Sequence, residues 1–262
     1  MAKIFHYFIL SIIVLSSACR PQFKALDINN FAIDEQISQD TITTNWLRFY
    51  KDSLEKSMGI VIAKTAISLE SSRSKGIIDP KIQEKGNLAR ICSDYVLQKA
   101  KNWSETNEFP MPIFTVLNHN GFRNSISPGN ITIGNVFEVM PFDNEIVLIH
   151  LSGRTVDSLF QYIASIGGSA VSGLSLTIDV ENSQYTNARV SLNKYNSRQS
   201  YWMCTSDFLL EGGDGYTMFA NSDRIIKTGI LVRDALLEGF ESEYLQSQQI
   251  NPRKQLRIHY AN

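Results

Sequence analysis

Two short stretches hold the residues of this chain that could do chemistry. In the first, residues 117–142, an apolar run from Ile113 to Leu117 empties into a polar Asn118-His119-Asn120-Gly121 turn. Arg123 follows, and an apolar-periodic segment then ends at Pro141-Phe142. The second, residues 206–216, reads Ser-Asp-Phe-Leu-Leu-Glu-Gly-Gly-Asp-Gly-Tyr. Arg123 can fork two hydrogen bonds onto an anionic oxygen pair. The Asn118 carboxamide carries donor and acceptor and can read the edge of a heterocycle. Phe142 and Phe208 each stand at an abrupt apolar-to-polar transition, suited to stacking a planar base at about 1–3 kcal/mol per contact. Asp214 can accept from vicinal hydroxyls, because the glycines around it let the backbone approach closely. Taken together the two stretches read as walls of one small-molecule site. A plainer reading also fits: Gly212-Gly213-Asp214-Gly215 as a tight turn, with both phenylalanines in the core.

Other chemistries lack their residues. A nucleophilic triad has no Gly-x-Ser-x-Gly elbow, and both internal cysteines sit inside apolar segments. No lysine and hydroxyl follow Gly212-Gly213-Asp214-Gly215, so it is no Walker loop. Asn118-His119 superficially resembles the Asn-His pair of two-metal phosphoesterases, which need several His and Asp/Glu ligands. Here His6 falls in the leader, leaving His119, His150 and His259, with no Asp-x-His or His-x-His spacing. His150, in an apolar strand, reads as structural, and His119 as a loop residue near ligand. A net charge of −1 gives no reason to expect nucleic acid as a partner.

Several elements must position these groups. Thr43-Thr44-Asn45 offers an N-cap for a helix showing Trp46, Tyr50, Leu54 and Met58 on one face and closed by Gly59. Ile60–Ile67 predicts a strand, and residues 71–80 a loop. A helix follows from Gly86-Asn87-Leu88 to about Lys101, with Leu88, Ile91, Cys92, Tyr95 and Val96 inward. Glu145–Leu151 predicts a strand and Gly153–Ile166 a helix. Leu174–Val180, Ala188–Leu192 and Tyr201–Thr205 predict strands, Ile230–Phe240 a helix and Leu256–Tyr260 a last strand. The expected fold is one α/β domain of α+β kind, a mixed sheet covered by helices.

The N-terminus reads as a targeting segment. Lys3, an apolar stretch from Ile4 to Leu15, and the small residues Ser16-Ser17-Ala18 lead to Cys19. The pattern resembles a bacterial lipoprotein signal, in which that cysteine is acylated, although the usual leucine three places before it is Ser16. The expectation is a signal peptide over residues 1–18, a tether over 19–42 and the folded domain over 43–262. The chain would then be exported and held to a membrane through lipid on Cys19. Cys92 and Cys204 sit in apolar segments, where buried free thiols are common, though export also permits a bridge.

Several motifs are similar, in order and spacing, to the 5′-nucleotidase C-terminal domain family. They are Gly86-Asn87-Leu88, Asn118 with Gly121-Phe122-Arg123, Ile131-Thr132 with Gly134 through Phe142, Leu151-Ser152-Gly153, Ser172-Gly173-Leu174, and Phe208 with Gly212 through Tyr216. The resemblance runs from about residue 80 to 240. It implies a nucleotide-binding domain in which Phe142 and Phe208 sandwich the base, Asp214 holds the ribose, and Asn118 and Arg123 contact substrate. A further substrate arginine of the family has Lys81 as its nearest basic candidate here. The family's Asn-Gly-Gly-Gly loop is the bulkier Asn118-His119-Asn120-Gly121, and an expected aspartate is Ile91, with Asp94 one turn later. In the family a metallophosphoesterase domain precedes this one and supplies the metals and the attacking water. The expectation is therefore the substrate-specificity module of a 5′-nucleotidase in nucleotide catabolism. It needs no cofactor of its own and acts with a separate metallophosphatase chain that carries the divalent metals. The alternative is a stand-alone nucleoside- or nucleotide-binding lipoprotein without catalysis.

Overall fold

The computed structural model describes residues 40–71 and 86–261. The leader, Cys19, most of the tether, the 71–80 loop beyond Ser71 and Lys81 lie outside those residues. The chain divides into two compact units, Met1–Arg48 and Phe49–Asn262. The described part of the first is the opening of helix α1 (Thr41–Met58). Its cap is Asp40, whose Oδ1 accepts the Thr43 amide at 2.7 Å, so the helix begins ahead of the expected Thr43–Asn45 cap. The expected apolar face is present as a periodicity, yet α1 buries none of its residues.

The second unit is built on a five-stranded mixed sheet. Its strands are β2 (Phe114–Leu117), β4 (Glu145–Leu151), β5 (Ala170–Ser172), β9 (Tyr201–Ser206) and β10 (Arg224–Leu231), in the order β10-β4-β9-β2-β5. β2 and β9 are parallel and the other pairs antiparallel. Ile146 and Leu148 point to one face and Val147 and Ile149 to the other, and all four are buried. That explains near-continuous apolar runs where a half-exposed strand would alternate. The first face packs under helices α2 (Asn87–Thr106) and α6 (Val232–Ser247). The second packs against helix α4 (Gly153–Ser165) and a four-stranded sheet of β6 (Leu174–Asp179), β7 (Gln184–Val190), β8 (Asn193–Lys194) and β11 (Ile258–Ala261). A small antiparallel pair, β1 (Val61–Thr65) and β3 (Gly129–Thr132), precedes helix α3 (Ile133–Val139).

The quoted motifs have local structural jobs. The Asn87 carboxamide accepts from the Glu70 and Leu88 amides at 2.7 and 2.8 Å and donates to the Ser68 carbonyl at 2.9 Å, stapling the start of α2 to the segment before it. Thr132 and Asn135 form a reciprocal capping box on α3. Ser152 caps α4, and a Cβ at Gly153 would collide with the Ser197 carbonyl. Gly173 has φ +68° and lies against the Ile113 carbonyl, so neither its conformation nor its space admits a side chain.

Four strands escape the sequence reading: β3, β5, β8 and β10. The helix expected from Ile230 instead starts at Val232, after the edge strand β10, whose Arg224, Ile225 and Lys227 face solvent and dilute the apolar pattern. Asp94 is a structural counter-ion. Its oxygens take Arg257 at 2.7 and 2.8 Å, Arg253 at 2.9 Å and the Ser172 hydroxyl at 2.6 Å. Cys92 and Cys204 are both free and buried. Burial pushes the Cys204 thiol up to about 12 and the Cys92 thiol further, so both stay protonated.

Candidate functional site

The sheet brings the two chemical stretches to one end. Thr115 lies beside Cys204 in the parallel β2–β9 pair, and Ile146 beside Ser206 in the antiparallel β4–β9 pair. The chain therefore leaves β2 at Leu117, leaves β9 at Ser206 and enters β4 at Glu145 along one line. Just beyond it come Asn118, Phe208 and the Phe142 loop. This is the carboxyl end of two adjacent parallel strands, where open α/β sheets commonly hold ligands.

Asn118 and Asp214 meet directly. Asn118 Nδ2 donates to Asp214 Oδ2 at 2.6 Å, and Asn120 Nδ2 reaches the same oxygen at 3.3 Å. Asp214 adopts φ +49°, a left-handed conformation that Asp tolerates better than most residues. Gly212 and Gly215 flank it at φ +88° and +82°. The Tyr162 hydroxyl donates to the Asp214 carbonyl from helix α4. Phe208 opens the short helix α5 (Asp207–Leu210), capped by Ser206, whose hydroxyl accepts from the Leu209 amide at 3.3 Å. Its ring lies over Gly213 so closely that a Cβ there would strike it. Gly-Gly-Asp-Gly is thus a tight turn that also seats an aromatic ring.

Arg123 and Phe142 form the other half. The Arg123 amide donates to the Val139 carbonyl at 2.8 Å, and its guanidinium lies 5.8 Å from the centre of the Phe142 ring. Arg123 is exposed, and among the described residues no carboxylate pairs with it. Phe142 is 38 % exposed and Phe208 41 %, which places neither ring in the core. Among the described residues no ring contact joins them.

His119 sits between the two asparagines in a 3₁₀ turn (His119–Gly121). Although the residue is half-buried, its Nδ1 is enclosed without a partner, and burial lowers the imidazole to about 4. It is neutral at pH 7. His150 and His259 stand elsewhere. His150 faces the Asp223 carboxylate at 3.3 Å and tilts against Trp202, and His259 lies in β11. Among the described residues no group of three His, Cys, Asp or Glu side chains could hold a metal ion. Nor is any described helix long and apolar enough to cross a membrane.

Sequence reasoning missed three residues of this neighbourhood. Asn120 lay in the quoted loop without a role. Tyr162 approaches Asp214 across 52 positions, for which no local pattern exists. Arg233, on α6, holds the Phe142 loop by hydrogen bonds to the Phe142 carbonyl and the Asp143 carboxylate at 3.2 and 2.5 Å. Lys81 lies outside the described residues.

A mixed sheet covered on both faces, with aromatic, amide, carboxylate and guanidinium groups at one strand end, defines a domain of α+β architecture. The chain belongs to the family described as "5′-nucleotidase, C-terminal domain", which matches it over residues 28–221. It is 24 % identical over 213 residues to the 5′-nucleotidase of Vibrio parahaemolyticus, covering 80 % of this chain and 35 % of that protein. It is 26 % identical over 204 residues to the trifunctional nucleotide phosphoesterase protein YfkN of Bacillus subtilis, covering 72 % and 13 %. Among solved structures, the 5′-nucleotidase precursor of Thermus thermophilus matches with TM-score 0.67 at 22 % identity over 87 % of this chain and 45 % of that one. The NAD nucleotidase of Haemophilus influenzae matches with TM-score 0.63 at 14 % identity, covering 86 % and 42 %. At such identities the likeness of structure establishes the fold. The chain spans about a third of the Vibrio relative's length.

Proposed function

We propose that this chain is the nucleotide-recognition module of a 5′-nucleotidase, exported and anchored by lipid on Cys19, which acts with a separate metallophosphatase chain. The observation that carries the reading is the gathering of Asn118, Asp214 and Phe208 with Arg123 and Phe142 at one end of the sheet. A base would stack on the partly exposed rings of Phe142 and Phe208. Ribose hydroxyls would donate to Asp214, whose second oxygen is left free by the two asparagines. The unpaired Arg123 guanidinium would take phosphate oxygens. Catalysis would then arise from positioning: the module holds the monoester, and divalent metals on the partner activate the water.

Helix α1 supports the need for a partner. Phe49, Tyr50 and Leu54 are exposed at 75, 65 and 57 %, and Ile60 just after the helix at 52 %. Monomeric proteins rarely leave such an apolar cluster uncovered. The family is named for a C-terminal domain, and the Vibrio relative has about two-thirds of its length outside the match. The occupant we assign to this face is accordingly the metallophosphatase chain. α1 ends beside α3, where Ile133 donates to the Ile60 carbonyl at 3.0 Å, and α3 leads directly to Phe142. A partner seated on α1 would be held at a fixed offset from the ligand end of the sheet.

The test is phosphatase activity on AMP with each chain alone and with the two mixed. Activity that appears only on mixing supports the split enzyme. If mixing adds nothing while this chain alone binds adenosine tightly, the chain is a binding lipoprotein and the partner is discarded.

A further inference from the structure

The loop that carries Phe142 has a holder of its own. Arg233 is the second residue of α6 and is 8 % exposed. Its Nη1 donates to the Phe142 carbonyl at 3.2 Å and, at a long 3.5 Å, to the Met140 carbonyl. Its Nη2 donates to Asp143 Oδ1 at 2.5 Å, and its guanidinium lies 4.2 Å from the centre of the Phe137 ring. The neighbouring Val232 amide donates to the Asn144 carbonyl at 2.8 Å. Every hydrogen bond of this guanidinium thus goes to residues 140–143, and the next amide of the same helix holds residue 144.

Burying a guanidinium is costly, and here the cost is only partly offset, because the Arg233 Nε is enclosed without an acceptor. If fixing helix to loop were the whole requirement, an apolar side chain of similar volume would serve as well or better. What an apolar side chain could not do is fix the direction of the Phe142 carbonyl, and with it the Cα–Cβ bond from which the exposed ring projects. That ring is 38 % exposed, so its direction is not fixed by burial in the core. Its neighbour Arg123 is tied through the Val139 carbonyl to the end of the same helix α3.

We infer that Arg233 is a positioning residue for nucleotide recognition, acting through the 140–143 backbone to set the Phe142 ring against the base. This rests on the reading of Phe142 as a base-stacking residue, and the experiment separates the two. Adenosine affinity is measured by calorimetry for the wild type, Arg233→Met, Arg233→Lys, Phe142→Ala and the Arg233→Met/Phe142→Ala double variant. Amide hydrogen exchange over residues 138–145 is followed in the same proteins.

The expected result is faster exchange in that segment for Arg233→Met, with adenosine binding weakened about tenfold or more, the scale of one lost stacking contact. Arg233→Lys, which keeps the charge but not the planar fork, recovers only part of the affinity. In the Phe142→Ala background Arg233→Met has no further effect, since the ring it would position is gone. A merely structural arginine would weaken binding equally in both backgrounds, and that outcome overturns the inference. So does unchanged exchange in Arg233→Met, or unchanged affinity where exchange is faster. A wild type that binds no adenosine defeats the nucleotide reading itself and the inference with it.

Discussion

Asp214 joins two demands that few side chains meet together, a left-handed backbone and a carboxylate acceptor for the Asn118 and Asn120 amides. Asparagine tolerates the same φ but carries no charge. Asp214→Asn should therefore melt within a degree or two of the wild type while binding adenosine about tenfold more weakly, as the loss of a charge-assisted hydrogen bond implies. Calorimetry beside a thermal melt reads both. His119 makes a prediction of the opposite kind, on stability alone. Its folded pKa is lowered to about 4, whereas an unfolded histidine titrates near 6.5. Between those values the unfolded chain binds a proton that the folded chain refuses, so stability falls as pH drops from about 6.5 to about 4. Denaturation across that window should show the slope in the wild type and a shallower one in His119→Gln. A slope unaltered by the substitution would remove His119 as its source. Asn118, Arg123, Phe142, Phe208 and Asp214 could be picked out in the sequence, because unusual residue types stood at element ends. Tyr162 and Arg233 could not, since each earns its place through a contact with a distant segment.

At the scale of elements, the longer strands buried on both faces were easiest to read. Glu145–Leu151 is central to the sheet and its bounds match, because burial on both faces gives an unbroken apolar run. The edge strand β10 and the short β3, β5 and β8 were lost, having too few inward residues to set a period. The same scale separates motif residues that fold from those that bind. Asn87, prominent in the family resemblance, is 8 % exposed and its carboxamide is fully engaged with Ser68, Glu70 and Leu88. Asn87→Ala should lower unfolding free energy by about 2–4 kcal/mol, since buried backbone groups lose their partners, and leave adenosine affinity of the folded protein unchanged. Urea unfolding with parallel calorimetry decides this; a loss of affinity without loss of stability would make Asn87 a ligand residue. Helix α1 behaves oppositely, showing a strong apolar period with nothing buried under it. A Phe49→Ser/Tyr50→Ser variant should keep its stability and its adenosine affinity but lose most of the AMP hydrolysis gained on mixing with the metallophosphatase chain. Full activity in that mixture would move the partner to another face.

Over the whole molecule, the α+β class follows from the mixture of periods in the sequence, but the crossing that makes the site does not. That β2 and β9 lie parallel and adjacent is a long-range pairing, and only this pairing puts Asn118 and Asp214 in contact across 96 positions. The layers above and below the sheet, α2 with α6 and α4 with the four-stranded sheet, hold that line rigid and leave one end free for a ligand. Everything proposed for the chain depends on that free end accepting a nucleotide. The most direct measurement is a calorimetric titration of adenosine and AMP into the wild type and into Phe208→Ala, with a thermal melt to show that the variant is folded. Saturable binding by the wild type, tighter for AMP than for adenosine and weakened at least about tenfold without the Phe208 ring, is the predicted result. Equal titrations of the two proteins, or no heat from either ligand, would contradict it.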